Sequence, residues 1–170
     1  MGLNGIPAGL NGIPVTLRRL NDADRPEECH VYFASVRKHP ALAGKIKALR
    51  SAERKEQKAM ATAFRRAREL DALPIGDSAA EEAAVEAAEA AVIDAQTGYD
   101  TAADARLSAV AEFYMAGMVG AGYSAETAEE YLPLFERDKY GDLIASVIAG
   151  CGHVDFFAVS SDSTGMGSRT

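Results

Sequence analysis

A mainly α fold is predicted by three features of this 170-residue chain: a basic helical segment, an acidic helical segment, and a Pro-Ile-Gly-Asp break at 74–77 that joins them. Lys45–Asp71 carries nine Lys/Arg against four Asp/Glu, a balance of +5. Asp77–Glu112 carries nine Asp/Glu against Arg106 alone, a balance of −8. Two rods of opposite sign around a helix-breaking hinge predict a long antiparallel helical hairpin over about 42–120. Short helices, one or two small peripheral strands, an extended N-terminal arm (1–20) and a polar C-terminal tail (160–170) complete the prediction, with residues 21–159 as the helical domain.

The arm begins with a tandem repeat. Gly2-Leu-Asn-Gly-Ile-Pro7 recurs as Gly9-Leu-Asn-Gly-Ile-Pro14. Asn-Gly pairs favour turns, and each proline removes a backbone donor and disfavours helix before it. An extended, turn-punctuated arm is expected, read first as a flexible leader, with an arm lying on a neighbouring subunit through Leu3, Ile6, Leu10 and Ile13 as the sharper alternative. A strand over Pro14–Leu20 follows, with Val15 and Leu17 on one side. Asp24 reads as an N-cap, with Pro26 and Glu27-Glu28 in a first turn, so a helix is expected to run to His39 and stop at Pro40.

The positive rod places Leu42, Ile46, Leu49, Met60, Ala63, Ala67 and Leu70 at helical spacing, with a polar gap at Glu53–Glu56. Ser78 and Glu81 form a capping box for the negative rod. Along it Val85, Ala88, Val92, Ala95, Tyr99 and Ala102 step by threes and fours, a heptad seam in which every second layer is alanine. Alanine layers bury little area, so the hairpin is expected to need neighbours and to protrude or to pack in an oligomer. Gly117, Gly120 and Gly122 are expected to end this rod. Ser124 then caps a short acidic helix that Pro133 ends, Asp142 opens an apolar helix closed by Gly150, and His153–Val159 reads as a last strand bearing Phe156 and Phe157.

The chemistry is sparse. Cys29, His30, Cys151 and His153 have the inventory of a zinc site but not the short ligand spacings, so no metal is expected. There is no P-loop signature, and Gly117–Gly122 follows a helix where a dinucleotide fingerprint needs a strand, so no cofactor is expected. Glu81, Glu82, Glu86 and Glu89 lack the Glu-x-x-His pattern of a carboxylate metal site and read as a solvated face. Arg54, Lys58, Arg65, Arg66 and Arg68 could touch phosphate. Aromatic interleaving is limited to Phe64, and an acidic rod follows, so pairing within the chain is the simpler account. A net charge of −7 argues against broad DNA binding. The two cysteines are too few for a disulfide framework and fit a reducing compartment. Neither a membrane span nor a signal peptide is read.

The order of parts resembles the tail assembly chaperones of lambda-like tailed bacteriophages: small, acidic, mostly helical proteins that begin with a short strand and end in a polar tail. The similar segments are Gly12-Ile-Pro-Val-Thr-Leu-Arg-Arg-Leu20 and Asp142–Phe157 before the Ser/Thr/Gly tail. The resemblance implies a non-enzymatic role in tail morphogenesis, binding tape-measure helices and recruiting tail-tube subunits, in the host bacterial cytoplasm or the virion. The residues themselves leave three further readings: a permanent virion component such as a head–tail connector or capsid-associated subunit, a nucleic-acid-binding module using the basic rod, and an enzyme of unrecognised type. Protein partners are expected, in a homo-oligomer or larger assembly, with Val85, Val92, Tyr99, Phe156 and Phe157 joining the arm residues as contact candidates.

Overall fold

The computed structural model describes residues 9–20, 26–74, 76, 78–135, 140–150 and 154–155. The elements run β1 (Ile13–Leu20), β2 (Pro26–Phe33), α1 (Ala41–Asp71), α2 (Ala79–Ala121), α3 (Ala125–Tyr131), a 3-10 turn (Leu132–Leu134), α4 (Tyr140–Ala149) and β3 (Val154–Asp155). The chain divides into two compact units, one formed by residues 1–46 with 111–170 and the other by 47–110. The mainly helical architecture with a long α2 agrees with the sequence reading.

In the first unit a three-stranded sheet has the order β2-β1-β3. β1 and β2 pair antiparallel from Ile13↔Phe33 to Leu20↔Pro26, and β1 pairs parallel with β3 at Val15↔Val154. The helix expected from Asp24 to His39 is therefore corrected: residues 26–33 are a strand, and Asp24 lies outside the described residues. The reason is periodicity. Val31 and Phe33 are buried while His30 is exposed and Tyr32 only half-buried, the two-residue alternation of a sheet. Pairing with the buried Val15 and Leu17 of β1 outweighs the local helix-start signature. Pro26 is tolerated as the first residue of the strand. Pro40, expected to stop a helix, instead precedes α1.

Phe33 centres the core of this unit. Its ring lies 5.1 Å from Phe113, 6.4 Å from Tyr114 and 6.2 Å from Phe135, and Tyr114 stacks on Phe135 at 4.2 Å. Burial pushes the Tyr114 phenol well above its ordinary range, so it stays protonated. Backbone bonds tie the strands to helices: Ala34 N–H donates to the Gly117 carbonyl and Val36 N–H to that of Val147, each at 2.9 Å. The edge strand β2 is covered where Tyr32 N–H donates to the Tyr123 hydroxyl at 3.1 Å.

The three glycines do not share one role. Gly117 and Gly120 lie inside α2, contrary to the expectation that they end it. Gly117 is where the Phe33 ring meets the helix, and a Cβ there would occupy the ring's position. Gly122 alone terminates α2. Its φ of +112° suits glycine, Tyr123 N–H donates to the Met118 carbonyl and Gly122 N–H to that of Val119, a Schellman closure. Ser124 caps α3 through the Thr127 amide at 3.1 Å, as expected. Leu143, Ile144 and Val147 of α4 are buried.

In the second unit the long helices continue as an antiparallel pair. The Ser78–Glu81 capping box forms as read: Glu81 N–H donates to Ser78 Oγ at 3.3 Å, and Glu81 Oε2 accepts from the Ser78 hydroxyl at 2.6 Å and the Ser78 amide at 3.2 Å. The Ser78 hydroxyl, then the Ser78 amide, hold the Glu81 carboxyl below its ordinary 4.5. A depressed carboxylate contributes stability above its unfolded value and loses it as pH falls through the folded one. The protection of the Ser78 and Glu81 amides relative to the intrinsic exchange rate at each pH is therefore expected to fall on acidification below about pH 4.5, with Ser124 and Thr127, whose cap does not titrate, as the internal control. Among the described residues no helix is long and apolar enough to cross a membrane.

Candidate functional site

Residues 50–109 make up most of the second unit, and none of those described is fully buried. Leu49 and Val110, at its margins, are. The seam positions Glu53, Glu56, Ala63, Ala67 and Leu70 of α1, and Val85, Ala88, Val92, Ala95, Tyr99 and Ala102 of α2, are all half-buried. Alternating alanine leaves too little side chain to close a two-helix core, so the seam stays partly open to water.

Met60, Ala63, Phe64 and Ala67 of α1 and Val92, Gln96 and Tyr99 of α2 line an apolar groove of about 280 Å³ along this seam. Phe64 is 65% exposed and Met60 41%, one helical turn apart, so the two present adjoining apolar surface beside the groove. Two sequence candidates, Val92 and Tyr99, are brought together here. Val85 sits one heptad before Val92 on the same seam.

One layer of the seam is ionic. Arg106 Nε lies 2.6 Å from Glu56 Oε2, with side chains 22% and 18% exposed, an ion pair in which the Nε–H is not aimed at the carboxylate. Arg106 continues the heptad of Val85, Val92 and Tyr99, and so faces the polar gap on α1. The signs are reversed relative to the rods, since the acidic rod supplies the base. The first unit has a second, exposed helix pair, Lys45 Nζ to Glu112 Oε2 at 2.8 Å, beside a shallow depression lined by Met115, Ala116 and Val119.

The basic cluster is split. Arg66 bonds Glu69 Oε2 at 2.7 Å, and Arg65 lies 3.9 Å from Glu69 Oε1, so these two are paired within α1. Arg54, Lys58 and Arg68 are exposed and have no ion pair among the described residues. Glu86 and Glu89 of α2 are likewise exposed without ion pairs among the described residues. The expected pairing within the chain is thus seen for Arg65 and Arg66, inside α1, and not for Arg54, Lys58 and Arg68 among the described residues.

The arm candidates separate. Ile13 is buried at the start of β1 and so is not a free anchor for a neighbour, while Leu10 is half-buried beside Gly122. Leu3, Ile6, Phe156 and Phe157 lie outside the described residues, as do Cys151 and His153. His30 Nδ1 is 3.2 Å from Thr16 Oγ1, a cross-strand contact. Among the described residues no three His, Cys, Asp or Glu side chains are grouped as metal ligands. Sequence reasoning missed Phe64 and Gln96 as groove walls and Arg106 as a seam residue. The seven-residue step from Tyr99 to Arg106 was the available signal. No protein-family model, curated protein or solved structure matches the chain.

Proposed function

We propose that this chain is a non-enzymatic assembly or structural protein that works through its helical hairpin, with tail morphogenesis of a tailed bacteriophage as the setting. The observation that carries this reading is the unclosed seam: residues 50–109 form a long helical pair with no fully buried described residue and with Met60 and Phe64 exposed beside the groove. Such a surface gains most from further helices laid against it, which is how assembly proteins hold partners. The phage setting rests on the likeness of segments 12–20 and 142–157 to tail assembly chaperones. The pairing of β1 with β3, which joins those segments in one sheet, is compatible with it.

Fractionation of phage-producing cells tests the role. The chain is expected in the soluble assembly fraction and not in finished particles. Fixed copy number in purified particles would instead favour a connector or capsid-associated subunit. Absence from both assembly intermediates and particles would overturn the reading. A nucleic-acid-binding module would show salt-sensitive retention on DNA that Arg65→Glu with Arg66→Glu abolishes, whereas the assembly reading expects no such retention.

A further inference from the structure

We infer that the groove beside Phe64 is the docking face for a second copy of this hairpin, the two copies related by a two-fold axis with α1 of each against α2 of the other. This rests on reading the hairpin as an assembly surface, and it names the partner. Three observations select the same chain over an unrelated helix.

The first is the deficit of cover. With no described residue fully buried from 50 to 109, the seam needs apolar surface along its length, and an identical hairpin brings a seam of equal length and the same heptad spacing. Phe64, at 65% exposure, is the projecting side chain, and Val92, Gln96 and Tyr99 form the wall it would meet in the other copy.

The second is the sign of the rims. On α1, Arg68 lies one turn after Phe64 beside the groove, and Arg54, two heptads before Arg68, lies on the same stripe of the helix beyond the groove's Met60 end. On α2, Glu89 lies one heptad before Gln96 and Glu86 one turn before that, flanking the opposite edge. A two-fold axis lays each basic rim on an acidic rim, at both edges at once. A partner helix of one sign would satisfy one rim and repel the other.

The third is availability. Arg54, Arg68, Glu86 and Glu89 are exposed and make no ion pair among the described residues. The ion pairs Lys45–Glu112 and Glu56–Arg106 join α1 and α2 at other positions.

Sedimentation equilibrium of the full chain tests the pairing. The unaltered protein is expected at twice its 18.0 kDa mass, with a dissociation constant that rises with salt. Phe64→Glu is expected to raise that constant by about 30-fold or more, the scale of losing a central aromatic anchor. Because Phe64 is largely exposed, the variant should keep its helical circular dichroism. Two rim variants give the sharper reading. Arg54→Glu with Arg68→Glu makes both rims acidic, and Glu86→Arg with Glu89→Arg makes both basic. Each is expected to be monomeric alone, and their mixture to recover a heterodimer. A chain that stays at 18.0 kDa at all concentrations overturns the self-pairing, as do rim variants that each dimerise like the parent. Either result leaves the assembly role to be decided separately by fractionation, so the two failures are distinguishable.

Discussion

Phe33→Ala is expected to destabilise the protein by about 3–5 kcal/mol, the range for removing a fully enclosed aromatic side chain. For a chain of this length that lowers Tm by roughly 6–20 °C. Phe33 is fully buried and ends β2. It touches the rings of Phe113, Tyr114 and Phe135, so its loss leaves three aromatic neighbours facing a void. Gly117→Ala approaches the same contact from the other side. Its methyl would fall where the Phe33 ring sits, and overpacking of this kind costs about 1–3 kcal/mol. The two changes should not add. In Phe33→Ala/Gly117→Ala the new methyl occupies space that the ring vacated, so the double variant should be more stable than the sum of the single losses predicts. Urea unfolding of the four proteins measures all of this. A Phe33→Ala loss under about 1 kcal/mol, or strict additivity with Gly117→Ala, would show that the ring and the helix backbone are not in contact.

The hairpin was legible because its signals are long-range in sequence and redundant. Opposite charge, a heptad seam, a Pro/Gly hinge and the Ser78–Glu81 box all point to the same two helices, and the caps at Ser124, Gly122 and Gly150 mark ends by local stereochemistry. Residues 26–33 were not legible for the opposite reason. Asp24, Pro26 and Glu27-Glu28 imitate a helix start, and only the pairing with β1 decides the matter. That pairing is a tertiary fact which no local window contains. Gly117 was misread for a related reason. A glycine followed by two others within five residues looks like a terminator, whereas its use is to admit a ring from a strand distant in sequence. At the candidate site, Val92 and Tyr99 were visible from their seven-residue step. Phe64 was passed over because it lies beside the seam and not in it, and a residue flanking a seam is informative only once the seam is found to be open.

Arg106 carries the second large expectation. In an acidic rod whose other seam residues are alanine, valine and tyrosine, one guanidinium faces inward and meets the one stretch of the opposite seam that is also charged. Arg106→Leu leaves Glu56 about four-fifths covered without its countercharge, and Glu56→Leu does the same to Arg106. Each single change is expected to cost about 1–3 kcal/mol, less than for a fully enclosed pair because water still reaches both groups. Replacing both should be close to neutral, or even stabilising, since two leucines fill the layer without desolvating charge. What the double variant loses is discrimination. A seam without that ionic layer accepts neighbouring registers, while a single ionic layer accepts one. The expected signature is an unfolding midpoint near that of the parent together with broadened amide resonances over residues 50–109. Single variants within about 0.5 kcal/mol of the parent would show that the pair is an ordinary surface contact. Sharp, parent-like spectra in the double variant would show that register is set by the hinge and not by charge.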